Sequence, residues 1–205
     1  NDINEIAVVG PVDELSAYIA DKVDYIICEG GSMLDNVING LKPFVSDGHV
    51  IIMSSDIPFI TSDAIEHFVE QSELSGADFC YPIIERSVNE TKFYDFKRTY
   101  IKLKDGTFTG GNAVYIAPSI ISDHMELIEE LIEARKQPLK MIEIVGGALA
   151  IDLATGRATV EAIEKRIAQV FGIKAKAIIS PYAEISQDVD KDDDIKATLR
   201  ILEEA

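Results

Sequence analysis

Short apolar, β-rich runs recur along this chain, and segments with helical spacing separate them. The unbroken apolar run at 50–53 fits a strand covered on both faces, because a half-solvated strand would alternate polar and apolar residues. Strand–helix alternation of this kind predicts an α/β fold, with a mostly parallel twisted sheet flanked by helices. The expected strands are 5–9, 25–28, 50–53, 77–83, 112–116 and 175–179. A hairpin is expected where 100–103 and Phe108 flank the Asp105-Gly106 turn. Helices are expected after Gly10-Pro11, over 33–41, after the capping candidates Thr61, Ser62 and Asp63, and over 192–204. In the last of these, Ile195, Leu199 and Leu202 form one stripe. Residues 118–172 read as mostly helical and are predicted to form a helical insertion. The length of 205 residues fits a single domain spanning 1–205.

Composition narrows the function classes. Hydrophobic residues make up 47% of the chain, enough for a real core. The 36 acidic and 19 basic residues give a formal net charge of -17. Such a surface repels phosphate backbones and anionic lipid heads, which argues against nucleic-acid and membrane-surface partners. Nucleotides stay within reach, because metal ions and backbone amides bind phosphates locally. No apolar run approaches the ~20 residues that span a bilayer, and no signal peptide is visible. Cys28 and Cys80 both lie in strand-like runs. They are predicted to be buried, reduced thiols of a cytoplasmic protein.

Ligands of open α/β sheets bind beyond the carboxyl ends of the strands. Two loops fall there. In Ser54-Ser55-Asp56-Ile57-Pro58 a carboxylate directly follows an apolar strand and Pro58 stiffens its loop. Asp56 either meets the ligand crevice or caps the turn before the Thr61 helix. Glu29-Gly30-Gly31-Ser32 either lets the backbone approach a ligand at a helix N-terminus or forms an ordinary tight turn. A third feature is Asp188-Val189-Asp190-Lys191-Asp192-Asp193-Asp194. Helix capping accounts for Asp192–194 but less well for Asp188 and Asp190, which precede the helix. An EF-hand is excluded, since position twelve of such a loop is Leu199 rather than glutamate.

Together these segments resemble the nucleotidyltransferase superfamily with a GT-A-like, Rossmann-like fold, and most of all its molybdopterin-guanylyltransferase-like group. Four stretches carry the resemblance: 30–41, 54–58, Thr109-Gly110-Gly111-Asn112, and Asp188-Val189-Asp190-Lys191. It covers roughly residues 5–117 and 175–203. The resemblance implies a transfer of a nucleoside monophosphate unit from an NTP to a small phosphorylated acceptor, with release of pyrophosphate. It implies Mg²⁺ held by Asp56 and Asp190, with Asp188 as the alternative to Asp190. Gly30, Gly31, Ser32, Asn36 and Ser55 would contact the nucleotide, and Gly111 and Asn112 the acceptor.

Lys97 and Arg98 are candidates for gripping the acceptor phosphate, the other reading being a solvated hairpin edge. Relatives begin with a strand and a glycine-rich loop bearing a basic residue. This chain opens at Asn1, at what resembles the second strand, so that strand and loop are expected to be absent from this sequence. The stretch 118–172 either shapes the acceptor pocket or forms a homo-oligomer interface. Two other functions stay open: a GT-A glycosyltransferase using a nucleotide sugar, and a non-catalytic nucleotide-binding domain. The first would usually carry Asp-x-Asp where this chain has Ser54-Ser55-Asp56.

Overall fold

A computed structural model describes residues 3–44, 48–134 and 137–204. The elements begin with β1 (Ala7–Gly10), α1 (Val12–Ile19), β2 (Tyr25–Cys28), α2 (Met33–Leu41), β3 (Val50–Met53) and α3 (Ser62–Ser75). There follow β4 (Phe79–Glu85), α4 (Arg86–Lys92), β5 (Ile101–Leu103), β6 (Gly106–Gly110) and β7 (Ala113–Ile116). The last third holds α5 (Pro118–Asp123), α6 (Met125–Ala134), α7 (Pro138–Val145), α8 (Gly147–Ala154), α9 (Val160–Phe171), β8 (Ala175–Ile179) and α10 (Asp192–Glu204). A 3-10 turn at Ala183–Ser186 precedes the acidic segment. The chain is therefore α/β, and 118–172 is helical wherever it is ordered into elements.

Two compact units divide the chain. The first holds residues 1–50 and 117–133, the second 51–116 and 134–205. In the first, β1 and β2 pair in parallel from Ala7↔Tyr25 to Gly10↔Cys28, with α1 as the crossover. The Asp24 carboxylate accepts the Ile6 amide at 2.8 Å, which fixes where this pairing starts.

In the second unit the sheet grows around β4. On one edge β6 and then β7 run antiparallel to it, at Ile83↔Gly110 to Glu85↔Phe108 and at Phe79↔Ile116 to Cys80↔Tyr115. On the other edge β8 runs parallel to it, from Phe79↔Ala175 to Ile83↔Ile179. β5 pairs antiparallel with β6, and β3 lies beside β7. The expected mostly parallel sheet is thus corrected to one whose described pairings are mainly antiparallel. An apolar run reports burial on two faces but not strand direction, which is set by the connections. The Asp105-Gly106 hairpin turns β5 back on β6, whereas the helical stretch before β8 supplies the long crossover a parallel neighbour needs.

The strand expected at 77–83 lies two residues later, and α4 follows it where no helix was expected. Cys80 is fully buried, but Cys28, at the end of a strand in the first unit, is exposed. The expectation of two buried thiols holds for one of them. Among the described residues no helix is long and apolar enough to cross a membrane.

The core of the second unit gathers Phe68 of α3, Cys80 and Ile84 of β4, Tyr115 of β7, Ile178 of β8 and Ile185. Phe59, Phe93 and Phe96 pack ring on ring against it, with centroids 5.1 to 5.9 Å apart. Helix α3 is cut to length at both ends. The Thr61 hydroxyl accepts the Ala64 amide, and Gly76 ends the helix at φ 57, a left-handed conformation that favours glycine.

Pro82 has no N–H to give the ladder, and the edge opposite it breaks between β6 and β7 at Gly111-Asn112. Two hydrogen bonds close the break: the Gly111 amide donates to the Pro82 carbonyl at 2.9 Å, and the Tyr81 hydroxyl donates to the Gly111 carbonyl at 2.8 Å. Tyr81→Phe should lower the unfolding free energy by about 1 kcal/mol, read from urea denaturation near neutral pH, because it leaves that carbonyl unpaired. Burial raises the Tyr81 phenol above its ordinary value of 10.0, and Arg98 pulls it back only in part. The folded chain keeps this proton after the unfolded chain has released it. The stability it supplies is fully present below pH 10.0 and is lost as pH rises above that value. Tyr81→Phe should therefore flatten the alkaline fall in stability, with a residual slope from Tyr100 and Tyr115, which burial also raises.

Candidate active site

The loop after β3 carries Asp56 into solvent. Its carboxylate accepts a hydrogen bond from the Ser54 hydroxyl, and the Ser54 amide donates to the Asn112 carbonyl at 3.0 Å. The strand end is thereby tied to the start of β7, and the carboxylate is aimed by a hydroxyl two residues before it. Ile57 is buried and anchors the loop from below, while Ser55 and Pro58 stay exposed beside Asp56.

The acidic segment lies against this loop although more than 130 residues separate them in sequence. The Val189 amide donates to the Asp56 carbonyl at 3.0 Å. Asp190 is exposed, and its amide and that of Lys191 donate to the Asp194 carboxylate at 3.3 and 3.0 Å. Asp194 therefore caps α10, and Asp190 is left facing solvent. The side chains of Asp192 and Asp193 lie outside the described residues, as does that of Leu202.

Asp188 is engaged differently. It forms an ion pair with Arg98, and the two side chains are only 19% and 17% exposed. Asn112 Nδ2 donates to the same Asp188 oxygen at 3.4 Å, and Arg98 Nη2 donates to the Gly110 carbonyl at 3.4 Å. Arg98 Nε is buried without a hydrogen-bond partner among the described residues. Burial lowers the Arg98 pKa, while Tyr81, Tyr100, Asp190 and Asp194 counteract it. Lys97, next to it, is exposed. Of the two adjacent cations one is thus committed to the acidic segment and the other projects outward.

The Gly110-Gly111-Asn112 turn is tightly packed. A Cβ on Gly111 would come within 2.8 Å of Pro82 Cγ and 3.3 Å of the Ile185 carbonyl oxygen, and one on Gly110 within 2.4 Å of the Tyr81 hydroxyl. The Asn112 amide donates to the Ile185 carbonyl at 2.8 Å. These glycines are needed for close contact between protein segments, whatever else they meet.

Gly30, Gly31, Ser32 and Asn36 belong to the first unit. The Gly30 amide donates to Asn36 Oδ1 at 2.7 Å, and Ser32 caps α2 by accepting the Asp35 amide at 3.1 Å. A Cβ on Gly30 would strike Asp35 Cβ at 2.5 Å. Asn36 and Ser32 thus shape the loop.

The second unit therefore brings together Asp56, Ser55, Asn112, Gly111, Arg98 and Asp190 at the ends of β3, β7 and the acidic segment. Sequence reasoning missed Ser54 as the partner of Asp56, Asp188 as the partner of Arg98, and Tyr81 beneath the glycine turn. Ser54 was visible, since a hydroxyl two residues before a carboxylate is within local reach. Nothing local joins Arg98 to Asp188.

Among the described residues no three His, Cys, Asp or Glu side chains gather to hold a metal. Asp56 and Asp190, both exposed on bonded segments, fit a site that supplies two of the oxygens a hard cation needs and leaves the rest to water and a phosphate ligand.

Residues 1–142 match the family described as the MobA-like NTP transferase domain. A solved structure from Thermus thermophilus, described as a hypothetical transferase, superposes with a TM-score of 0.82 at 29% identity. That alignment covers 91% of this chain and 78% of the other. Comparison with curated proteins gives no match. The chain belongs to the MobA-like NTP transferase domain family, whose general chemistry is nucleotidyl transfer.

Proposed function

We propose that the chain is a Mg²⁺-dependent nucleotidyltransferase that moves a nucleoside monophosphate unit from an NTP to a small phosphorylated acceptor and releases pyrophosphate. The observation that carries this reading is the hydrogen bond from the Val189 amide to the Asp56 carbonyl. It seats the segment bearing Asp190 beside the loop bearing Asp56, so that two carboxylates from distant parts of the chain share one rim. The reading takes 1–205 as one nucleotidyltransferase domain with 118–172 as its helical insertion.

In this reaction two phosphate groups, both negative, must approach. Catalysis is therefore mainly positioning and charge neutralisation. Asp56 and Asp190 are the residues that would hold Mg²⁺, which when bound offsets the charge of the phosphate oxygens. Ser54 fixes the Asp56 carboxylate from behind. Arg98 acts through Asp188 and is a positioning residue: it pins the acidic segment at the height where Val189 meets Asp56. The exposed Lys97 is the cationic group offered to an acceptor phosphate. Asn112 and Gly111 border the acceptor side, Ser55 lies beside the transferred phosphate, and Gly30, Gly31, Ser32 and Asn36 are assigned to the nucleotide.

Asp56→Ala should keep the fold, because the side chain is exposed and the Val189 bond uses the main chain. It should slow pyrophosphate release roughly a thousandfold, a loss of ~4 kcal/mol of transition-state stabilisation. The assay screens the four NTPs against phosphorylated metabolites. A near-normal rate in Asp56→Ala would remove the metal assignment.

Arg98→Met should raise the Mg²⁺ concentration for half-maximal rate by about tenfold or more, the usual size of the effect when a group that orients a ligand is lost. It leaves Asp188 unpaired in a mostly buried place. A Mg²⁺ requirement identical to that of the parent chain would show that Arg98 does not position the acidic segment.

A further inference from the structure

We infer that Asn89 is a positioning residue for the pair Asp56 and Asp190: from the inner face of α4 it fixes the Ser186 hydroxyl, and through it the seat of Val189 on the Asp56 loop. The inference rests on the nucleotidyl-transfer reading above. The stretch from α4 to β5 grips every second residue of the segment that leads to Asp190. Lys92 pairs with Glu184, Asn89 Nδ2 donates to Ser186 Oγ at 2.8 Å, and Arg98 pairs with Asp188. The ties are not equal. The Lys92 side chain is 56% exposed, so solvent screens its pair. Asn89 and Ser186 are fully buried, so each depends on the other for a hydrogen bond.

A hydroxyl has one proton to give and two lone pairs. Ser186 Oγ uses all three: it donates to the Ala183 carbonyl at 2.8 Å and accepts from Asn89 Nδ2 and, at 3.1 Å, from Gln187 Nε2. The Tyr100 hydroxyl donates to Asn89 Oδ1 at 3.2 Å and so sets which end of the amide faces Ser186. Asparagine is a poor helix former, and Ser87, Glu90 and Thr91 around it on α4 are exposed. Its amide, not its helix propensity, accounts for its place on the inner face. A buried polar network with its partners in place specifies one arrangement. Only Gln187 and Asp188 separate Ser186 from Val189, and Asp188 is itself held by Arg98. The Ile185 carbonyl also accepts the Asn112 amide. The turn ahead of Val189 is thus held both by α4 and by the start of β7.

The test reads the Val189 amide directly. Hydrogen exchange of the whole chain is followed by NMR in the parent, Asn89→Ala, Ser186→Ala, the double variant and a control, Ile178→Val, which trims the core of β8 away from this network. Val189 should exchange about tenfold faster or more in each single variant, the usual effect of leaving a buried group without its partner. The double variant should be no faster than the faster single one, because both act through one bond. The control should speed the amides of the β4–β8 pairing and leave Val189 unchanged. Mn²⁺, a hard cation visible by electron paramagnetic resonance, should bind about tenfold more weakly to Asn89→Ala and as tightly to the control as to the parent. Should Asn89→Ala fail to fold, Tyr100→Phe removes only the hydroxyl that orients the amide and should move both readouts the same way by a smaller factor.

A Val189 rate unchanged in Asn89→Ala, or raised equally by the control, would overturn the inference, as would additive effects in the double variant. Mn²⁺ bound equally by the parent and Asn89→Ala would overturn it too. A parent chain that binds no Mn²⁺ at millimolar concentration, while Val189 still loosens in Asn89→Ala alone, would uphold the hold of Asn89 on the segment and overturn the metal reading.

Discussion

One main-chain hydrogen bond, from the Val189 amide to the Asp56 carbonyl, sets the arrangement of everything at the rim of the second unit. It joins the exit of β3 to the approach of α10, whose Ala197 and Ile201 share a core with Met53 and Phe59. Three further ties support it. The Ser54 amide reaches the Asn112 carbonyl, the Asn112 amide reaches the Ile185 carbonyl, and the Tyr81 hydroxyl holds the intervening turn. The result is a short chain of bonds from β3 through the break between β6 and β7 to the 3-10 turn ahead of the acidic segment.

Charge is distributed with the same logic. A chain with nearly twice as many acids as bases cannot collect phosphates by its overall field. Arg98 is largely buried and spends its charge inside the protein, on Asp188. Taking both charges out of water is costly, and the pair persists because Asn112 and the Gly110 carbonyl share its hydrogen bonds. Asp188 is thereby held within the protein while Asp190, two residues on, is left to solvent. One acidic segment thus contains an anchoring carboxylate and a presented one.

The sequence made the elements legible where glycine, serine or aspartate bounds an apolar run. The segments at 25–28, 33–41, 50–53, 175–179 and 192–204 have the limits that spacing and capping predict. Strand direction was not legible, since Val50–Met53 and Phe79–Glu85 would read the same beside a parallel or an antiparallel neighbour. Nor was α4, whose Arg86–Lys92 run is polar enough to pass for a loop. At the rim, Asp56 stood out because it ends a strand. The adjacency of the 188–190 segment to Asp56 came only from resemblance, because no local pattern encodes contact across the length of a domain. Lys97 and Arg98 are neighbours with the same charge, and only the packing of Tyr81 and Tyr100 around Arg98 tells which one turns inward. Cys28 shows the opposite limit: an apolar strand leaves its last residue exposed where no element covers it.

Because the Val189 contact is made by peptide groups, the seam it forms is indifferent to what side chain position 189 carries. Ordinary drift at that position can reshape the small cavity that Val189 lines beside Asp56 without moving the two acidic segments apart. Only proline, which has no amide hydrogen to give, would cut the stitch itself. The lining of the cavity beside Asp56 and the spacing of the two acidic segments are thus written in different atoms of one residue, so that the first is free to change while the second is kept.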